Sequence, residues 1–285
     1  MRVSILVNLY REDAIEAAKQ AVSILHSKGI DVTTDRDGKT VLDIEAATGE
    51  DLGSADLMIS IGGDGTLLRA SHICSPHDTP ILGVNYGRFG FVTQCPPDQL
   101  EAAINEFLDG QSKVEERLMV RAELVRAGKI VTDLHALNET VVQRSATTRL
   151  LTFDVCIDGD LIARYPADGV MVATPTGSTA YSLSAGGPII EPHLKALLIT
   201  AIMPHSLSSR PLVVSPDAVI EITIETRGDA VLSCDGQSRL HLLSGDMVRV
   251  TQSERKTRLV KVGHSDFLVK LSKRLGWSSR GRDAV

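Results

Sequence analysis

The chain has no excess of positive charge, no cysteine pair at metal-binding spacing and no long apolar run. Each absence removes a class. Lys and Arg number 30 against 36 Asp and Glu, a formal net charge of −6, whereas nucleic-acid binding normally leaves a basic footprint. No apolar stretch approaches the ~20 residues that cross a bilayer, so neither nucleic acid nor membrane is expected as a partner. The opening Met1-Arg2-Val3-Ser4-Ile5-Leu6-Val7 reads as a strand and lacks the cleavage region of a signal peptide. Cys74, Cys95, Cys156 and Cys234 are scattered without a Cys-x-x-Cys, which fits reduced thiols in a cytoplasm better than disulfides or zinc. His72 and His77 form no His-Glu-x-x-His pattern. A Walker A loop is absent too: Asp37-Gly38-Lys39-Thr40 has Thr33 where the motif needs its first glycine. Gly83, Gly87 and Gly90 have the wrong spacing for a dinucleotide fingerprint.

What is present is an ordinary globular composition, 43% hydrophobic and 23% charged over 285 residues, enough for one to two domains. Strand and helix signals alternate through the first hundred residues. Strands are expected over 3–9, 30–33, 57–61 and 80–84, and helices over 12–27, 66–73 and 97–108. Such alternation predicts an α/β domain with a parallel sheet. From about residue 114 the pattern changes to short strands, over 120–124, 137–142, 151–157, 169–173, 212–214, 219–225, 231–234 and 247–250. Asp158-Gly159, Arg227-Gly228 and Ser244-Gly245 mark turns between them. The expected organisation is an α/β domain over 1–112 and a mostly β domain over 113–264. A helix within 265–285 then packs back on the first domain.

Two segments concentrate chemistry. The first is the run from Leu57 to Arg69, in which Gly62, Gly63 and Gly65 surround Asp64 and Thr66 starts a helical pattern. Glycine lets a ligand approach the backbone, and a helix start offers free N–H groups and a positive dipole end to an anion. Asp64 is the only charge in the turn, so the loop can hold phosphates beside a base. An ordinary strand-to-helix turn with Asp64 as its cap has the same composition. In parallel sheets ligands gather at the carboxyl ends of strands, where Asp64 falls. The second segment is Thr174-Pro175-Thr176-Gly177-Ser178-Thr179-Ala180-Tyr181, continuing through Ser182, Leu183 and Ser184. Its small residues admit a flat ring or sugar close to the backbone, or else serve a tight crossing.

With Asn138-Glu139 standing between these segments, the chain resembles the NAD kinase family. That family joins a Gly-Gly-Asp-Gly loop, an Asn-Glu pair and a Thr-Pro-Thr-Gly-Ser-Thr-Ala-Tyr segment in this order. Smaller echoes are Gly87-Arg88-Phe89-Gly90-Phe91, Ser209-Arg210-Pro211-Leu212, Cys234-Asp235-Gly236-Gln237 and Lys273-Arg274-Leu275-Gly276-Trp277. The resemblance implies transfer of the γ-phosphoryl of ATP to the 2′-hydroxyl of the adenosine ribose of NAD. Asp64 is then the base, a divalent cation such as Mg²⁺ and the amides of Gly62, Gly63, Gly65 and Thr66 meet the phosphates, and no metal ligands can be named. It further implies that Asn138 and Glu139 hold the adenosine and that Thr179, Ala180, Tyr181, Ser182, Leu183 and Ser184 line its pocket. Asp168 falls on the nicotinamide side, Arg149 and Gln237 are lesser contacts, and Arg69 is placed to meet a phosphate.

The family also implies a homodimer or homotetramer. Its members often carry a polar or basic residue just before the aspartate, where this chain has Tyr165-Pro166-Ala167, so a basic contact to NAD is expected to be missing. Two rivals are a lipid kinase with a related loop and a non-catalytic NAD or NADP sensor.

Overall fold

The computed structural model describes residues 1–87, 90–93, 95–145, 151–224, 230–263 and 267–277. The chain forms two compact units, residues 1–116 with 257–285, and residues 117–256.

The first unit runs β1 (Arg2–Val7), α1 (Glu12–Ser27), β2 (Asp31–Thr34), α2 (Arg36–Leu42), β3 (Glu45–Ala46), α3 (Gly49–Gly53) and β4 (Leu57–Gly62). It continues with α4 (Asp64–Cys74), β5 (Pro80–Asn85) and α5 (Leu100–Leu108). Its strands pair in parallel in the order β5-β4-β1-β2-β3. Helix α1 buries Ala14, Ala17, Ala18, Ala21, Val22 and Leu25, a stripe at helical spacing whose small residues let it lie close on the sheet. The chain leaves α1 through Gly29 at φ +71°, a left-handed position that favours glycine. Every residue of β4 is buried, as expected for an interior strand of a parallel sheet covered on both faces. Helix α4 begins at Asp64 rather than at residue 66, because Gly63 takes the N-cap in extended conformation.

The second unit is antiparallel. Its elements are β6 (Lys113–Arg126), β7 (Lys129–Ala136), β8 (Glu139–Arg144), β9 (Leu151–Ile157), β10 (Asp160–Ala167), β11 (Gly169–Ala173) and the short α6 (Tyr181–Ser184). Then come β12 (Leu197–Ile202), β13 (Leu212–Val214), β14 (Ile220–Ile224), β15 (Ala230–Cys234), β16 (Ser238–Leu242) and β17 (Met247–Lys261). One sheet is ordered β13-β12-β11-β8-β15-β16, and the other contains β10-β9-β14-β17 with β6 and β7. Phe153, Ile220 and Ile222 from one sheet share a core with Val142, Val170, Val172 and Leu232 from the other, which is sandwich packing. Asp158 and Gly159 both take positive φ, 52° and 90°, between β9 and β10, as a tight hairpin requires.

Strand β17 extends past the expected residue 250, and its Arg258 and Leu259 pair in parallel with Pro80 and Ile81 of β5. After it, α7 (Phe267–Arg274) belongs to the first unit. The expected turn at Arg227-Gly228 lies outside the described residues.

Candidate active site

In the first unit, β4 delivers the glycine loop at its carboxyl end. A Cβ on Gly62 would run into the Thr66 hydroxyl, while Gly63 and Gly65 face open space. The Thr66 and Leu67 N–H groups donate to the Gly63 carbonyl at 3.1 and 3.3 Å, while those of Asp64 and Gly65 precede the first helical bond. Asp64 does not cap α4 with its side chain. Instead its carboxylate accepts hydrogen bonds from the Phe91 N–H at 2.9 Å, the Thr93 N–H at 3.2 Å and the Thr93 hydroxyl at 3.3 Å. Gly90 makes this possible, since a Cβ there would collide with the Asp64 carboxylate. Beside the loop, Asn8, Tyr10, Asp37, Gly65, Thr66 and Arg69 line a cavity of about 530 Å³. Arg69 is not an isolated surface cation: its guanidinium lies 2.5 Å from Asp35, and that aspartate also caps α2 by accepting from the Gly38 N–H at 2.7 Å.

In the second unit, Asn138 and Glu139 enter β8 on a backbone held from the turn after β15. The buried Asp235 carboxylate accepts from the N–H groups of Leu137 and Asn138, both at 2.8 Å, and of Glu139 at 3.2 Å. Gly177 packs its Cα so tightly on Asn138 that a Cβ would overlap the Asn138 carbonyl. Thr174 completes the clasp, its hydroxyl donating to the Leu137 carbonyl at 2.6 Å. The Tyr181 N–H donates to the Glu139 carboxyl. Burial first, and the Asp235 carboxylate second, push Glu139 up to about 8. Asn138 Oδ1 and Glu139 Oε2 are buried with no hydrogen-bond partner, a condition that costs about 1–3 kcal/mol per group. A ligand that donates to Asn138 and pairs with the Glu139 carboxyl would remove that cost.

The antiparallel register that sets Gly169 opposite Gln143 brings Arg144 beside Asp168. The guanidinium meets the carboxylate at 2.7 Å and 3.4 Å. Hydrogen bonding to Asp168, then its charge, raises the Arg144 pKa. Asp168, Tyr181, Arg144, Arg239 and Met203 line a cavity of about 620 Å³ in this unit.

The model of the ATP-NAD kinase N-terminal domain matches residues 3–112, and that of the ATP-NAD kinase C-terminal domain matches residues 137–262. The NAD kinase of Chromohalobacter salexigens is 40% identical over 287 residues, covering 98% of this chain and 97% of the relative. The chain belongs to the NAD kinase family. The NAD kinase of Moorella thermoacetica is 38% identical, covering 93% of this chain and 86% of the relative. Among solved structures, yeast NADH kinase complexed with NADH superposes with a TM-score of 0.93 at 28% identity, covering 100% of this chain and 90% of that one. An NAD kinase from Archaeoglobus fulgidus in complex with ATP gives a TM-score of 0.73 at 27% identity, covering 92% and 94%.

The residues singled out in the sequence divide by unit. Gly65, Thr66 and Arg69 share one cavity, and Asp168 and Tyr181 share the other. Glu139 accepts from the Tyr181 N–H, while the Asn138 carbonyl accepts from the Thr174 N–H at 2.8 Å. Thr179 and Ala180 form the partly buried turn before α6, and Leu183 and Ser184 lie on α6 itself. The Ser182 side chain is turned inward, fully buried with its hydroxyl 3.2 Å from that of Thr200, so it fixes the turn. Gln237 is exposed on the turn after β15. Arg149 lies outside the described residues.

Sequence reading missed three contributors. Asp235 was visible only as part of a minor echo, the partnership of Arg144 with Asp168 had no linear signal, and the Phe91 and Thr93 amides carry no side-chain signature. Arg144 and Arg239 line the same cavity as Asp168.

Proposed function

We propose that the protein transfers the γ-phosphoryl group of ATP to the 2′-hydroxyl of the adenosine ribose of NAD, giving NADP and ADP. The observation that carries this reading is the Asp64 carboxylate, oriented by three donors at the first residue of a helix behind a glycine loop. In the transfer, Asp64 takes the proton from the 2′-hydroxyl. The oxygen bonds to the γ-phosphorus as the bond to the β–γ bridging oxygen breaks, and the electron pair leaves with ADP. Phosphoryl transfer has a largely dissociative transition state, so orientation of the nucleophile matters more than the strength of the base. The amides of Gly63 and Gly65 face the charge on the phosphates.

The divalent cation enters as part of the nucleotide substrate. Among the described residues no group of three or more His, Cys, Asp or Glu could hold one, and Mg²⁺ commonly binds through one or two carboxylates plus substrate phosphates.

The adenosine is held by Asn138 and Glu139: the buried Asn138 Oδ1 suits an adenine amino hydrogen, and the Glu139 carboxyl pairs with a ribose hydroxyl, which both donates and accepts. The 179–184 turn closes over it, and Asp168 with Arg144 faces the nicotinamide half. Homo-oligomeric assembly is favoured by the apolar edge strands: Leu161 and Ile162 on β10 and Leu212 and Val213 on β13 are exposed. A cytoplasmic location suits the four free cysteines, and among the described residues no helix is long and apolar enough to cross a membrane. The test is transfer from γ-labelled ATP in the presence of NAD and Mg²⁺. Label recovered in NADP supports the reading, and label only in inorganic phosphate refutes it.

A further inference from the structure

Two of the minor motifs, the one ending at Phe91 and the one containing Arg274, are separated by more than half the chain and meet in the first unit. The Arg274 guanidinium lies 4.4 Å from the centroid of the Phe91 ring. Phe267 packs on the same ring with centroids 6.4 Å apart and planes tilted by 44°. Lys270 Nζ donates to the Thr93 carbonyl at 3.4 Å. These three residues are spaced three and four apart on α7, so they project from one helical face. Leu271 beside them is buried, and Gly276 at φ +68° ends the helix. The two residues they grip, Phe91 and Thr93, are the ones whose N–H groups hold the Asp64 carboxylate.

We propose that α7 is a latch that positions the catalytic base: Phe267, Lys270 and Arg274 fix Phe91 and Thr93, and through those amides set the direction of the Asp64 carboxylate. None of the three touches the reacting atoms in this scheme; they are positioning residues. The physical case is that a base must be held to a fraction of an ångström, and a displacement near 1 Å costs on the order of 10²-fold in rate. Tyr86, Gly87 and residues 90–93 lie in neither helix nor strand, so the place of Phe91 and Thr93 is set by what packs on them. A guanidinium over the Phe91 ring and a second ring packed on it supply that restraint. The proposal rests on Asp64 acting as the base for NAD phosphorylation, and its test reads the latch separately from turnover.

The experiment uses the full chain as wild type, Arg274→Ala, Arg274→Lys and Asp64→Asn, with the Arg274→Ala/Asp64→Asn double variant. Hydrogen exchange of peptides covering 90–93 should be faster in Arg274→Ala and near wild type in Arg274→Lys, which keeps a cation on the ring. NADP formation should fall about 10-fold in kcat for Arg274→Ala, with KM for NAD little changed, as expected when positioning rather than binding is lost. Arg274→Lys should restore most of that rate. In the Asp64→Asn background, Arg274→Ala should cost almost nothing more, because the residue acts through Asp64.

Unchanged exchange at 90–93 in Arg274→Ala overturns the latch whatever the enzyme does. Unchanged kcat, or an equal loss in the Asp64→Asn background, overturns the link to the base. A wild type that forms no NADP removes the catalytic reading beneath it, while the exchange result still reports on the contact.

Discussion

Glu139→Gln should change how stability depends on pH, in a direction set by the burial of that carboxyl. Glu139 is raised from an ordinary 4.5 to about 8, by burial first and by the Asp235 carboxylate second. The folded chain therefore holds a proton at this position between about pH 4.5 and 8 that the unfolded chain releases. Stability contributed by the neutral carboxyl is fully present below pH 4.5 and is lost as pH rises to 8. One pH unit corresponds to about 1.36 kcal/mol, so ionised Glu139 weakens the fold by about 4–5 kcal/mol relative to the neutral form. Glutamine resembles the neutral acid in shape and cannot ionise. The assay is urea unfolding of both proteins by far-ultraviolet circular dichroism between pH 4.5 and 9. The stability of Glu139→Gln relative to wild type should climb by about 1.4 kcal/mol per pH unit between about pH 4.5 and 8 and level off above pH 8. A difference that stays constant with pH would refute the argument, and so would one that falls.

Asp235→Asn leaves one acceptor oxygen where three backbone N–H groups converge and turns an amide donor toward them. It should lose about 1–3 kcal/mol in urea unfolding and raise KM for NAD more than it lowers kcat. Gly177→Ala forces a methyl group into the Asn138 carbonyl, and the fixed backbone there predicts a loss of about 1–3 kcal/mol with a weaker grip on NAD, measured by melting and NAD titration. Gly90→Ala drives a methyl group against the Asp64 carboxylate. It should cut kcat by on the order of 10²-fold while the melting temperature of the protein moves little.

The fold was legible where periodicity was strong. Helix α1 falls on its expected residues because its buried stripe and Gly29 are both plain in the sequence, and β9, β11 and β13 likewise match. Strands β7, β10 and β16 were not foreseen, since most of their residues are partly or wholly exposed and their composition resembles a loop's. The short α2 and α3, seven and five residues long, are too brief for a period to register; their caps, Asp35 and Thr48, are the signals that could have found them. At the site, Asp64 stands out because glycines surround it, whereas Asn138 and Glu139 are singled out only by the family resemblance. The partners that orient them were not legible. Asp235 lies 97 residues from Asn138, and Phe91 lies 27 residues from Asp64 and acts through its backbone, so only strand register and loop path bring them in.

The most direct test is NADP formation from NAD, ATP and Mg²⁺, read by an NADP-specific dehydrogenase, for wild type and Asp64→Asn side by side. The account predicts turnover in the wild type and a fall of about 10²–10⁴-fold in the variant, with both proteins folded and binding NAD alike. A wild type that binds NAD and forms no NADP would contradict it and leave a nucleotide sensor in place of an enzyme.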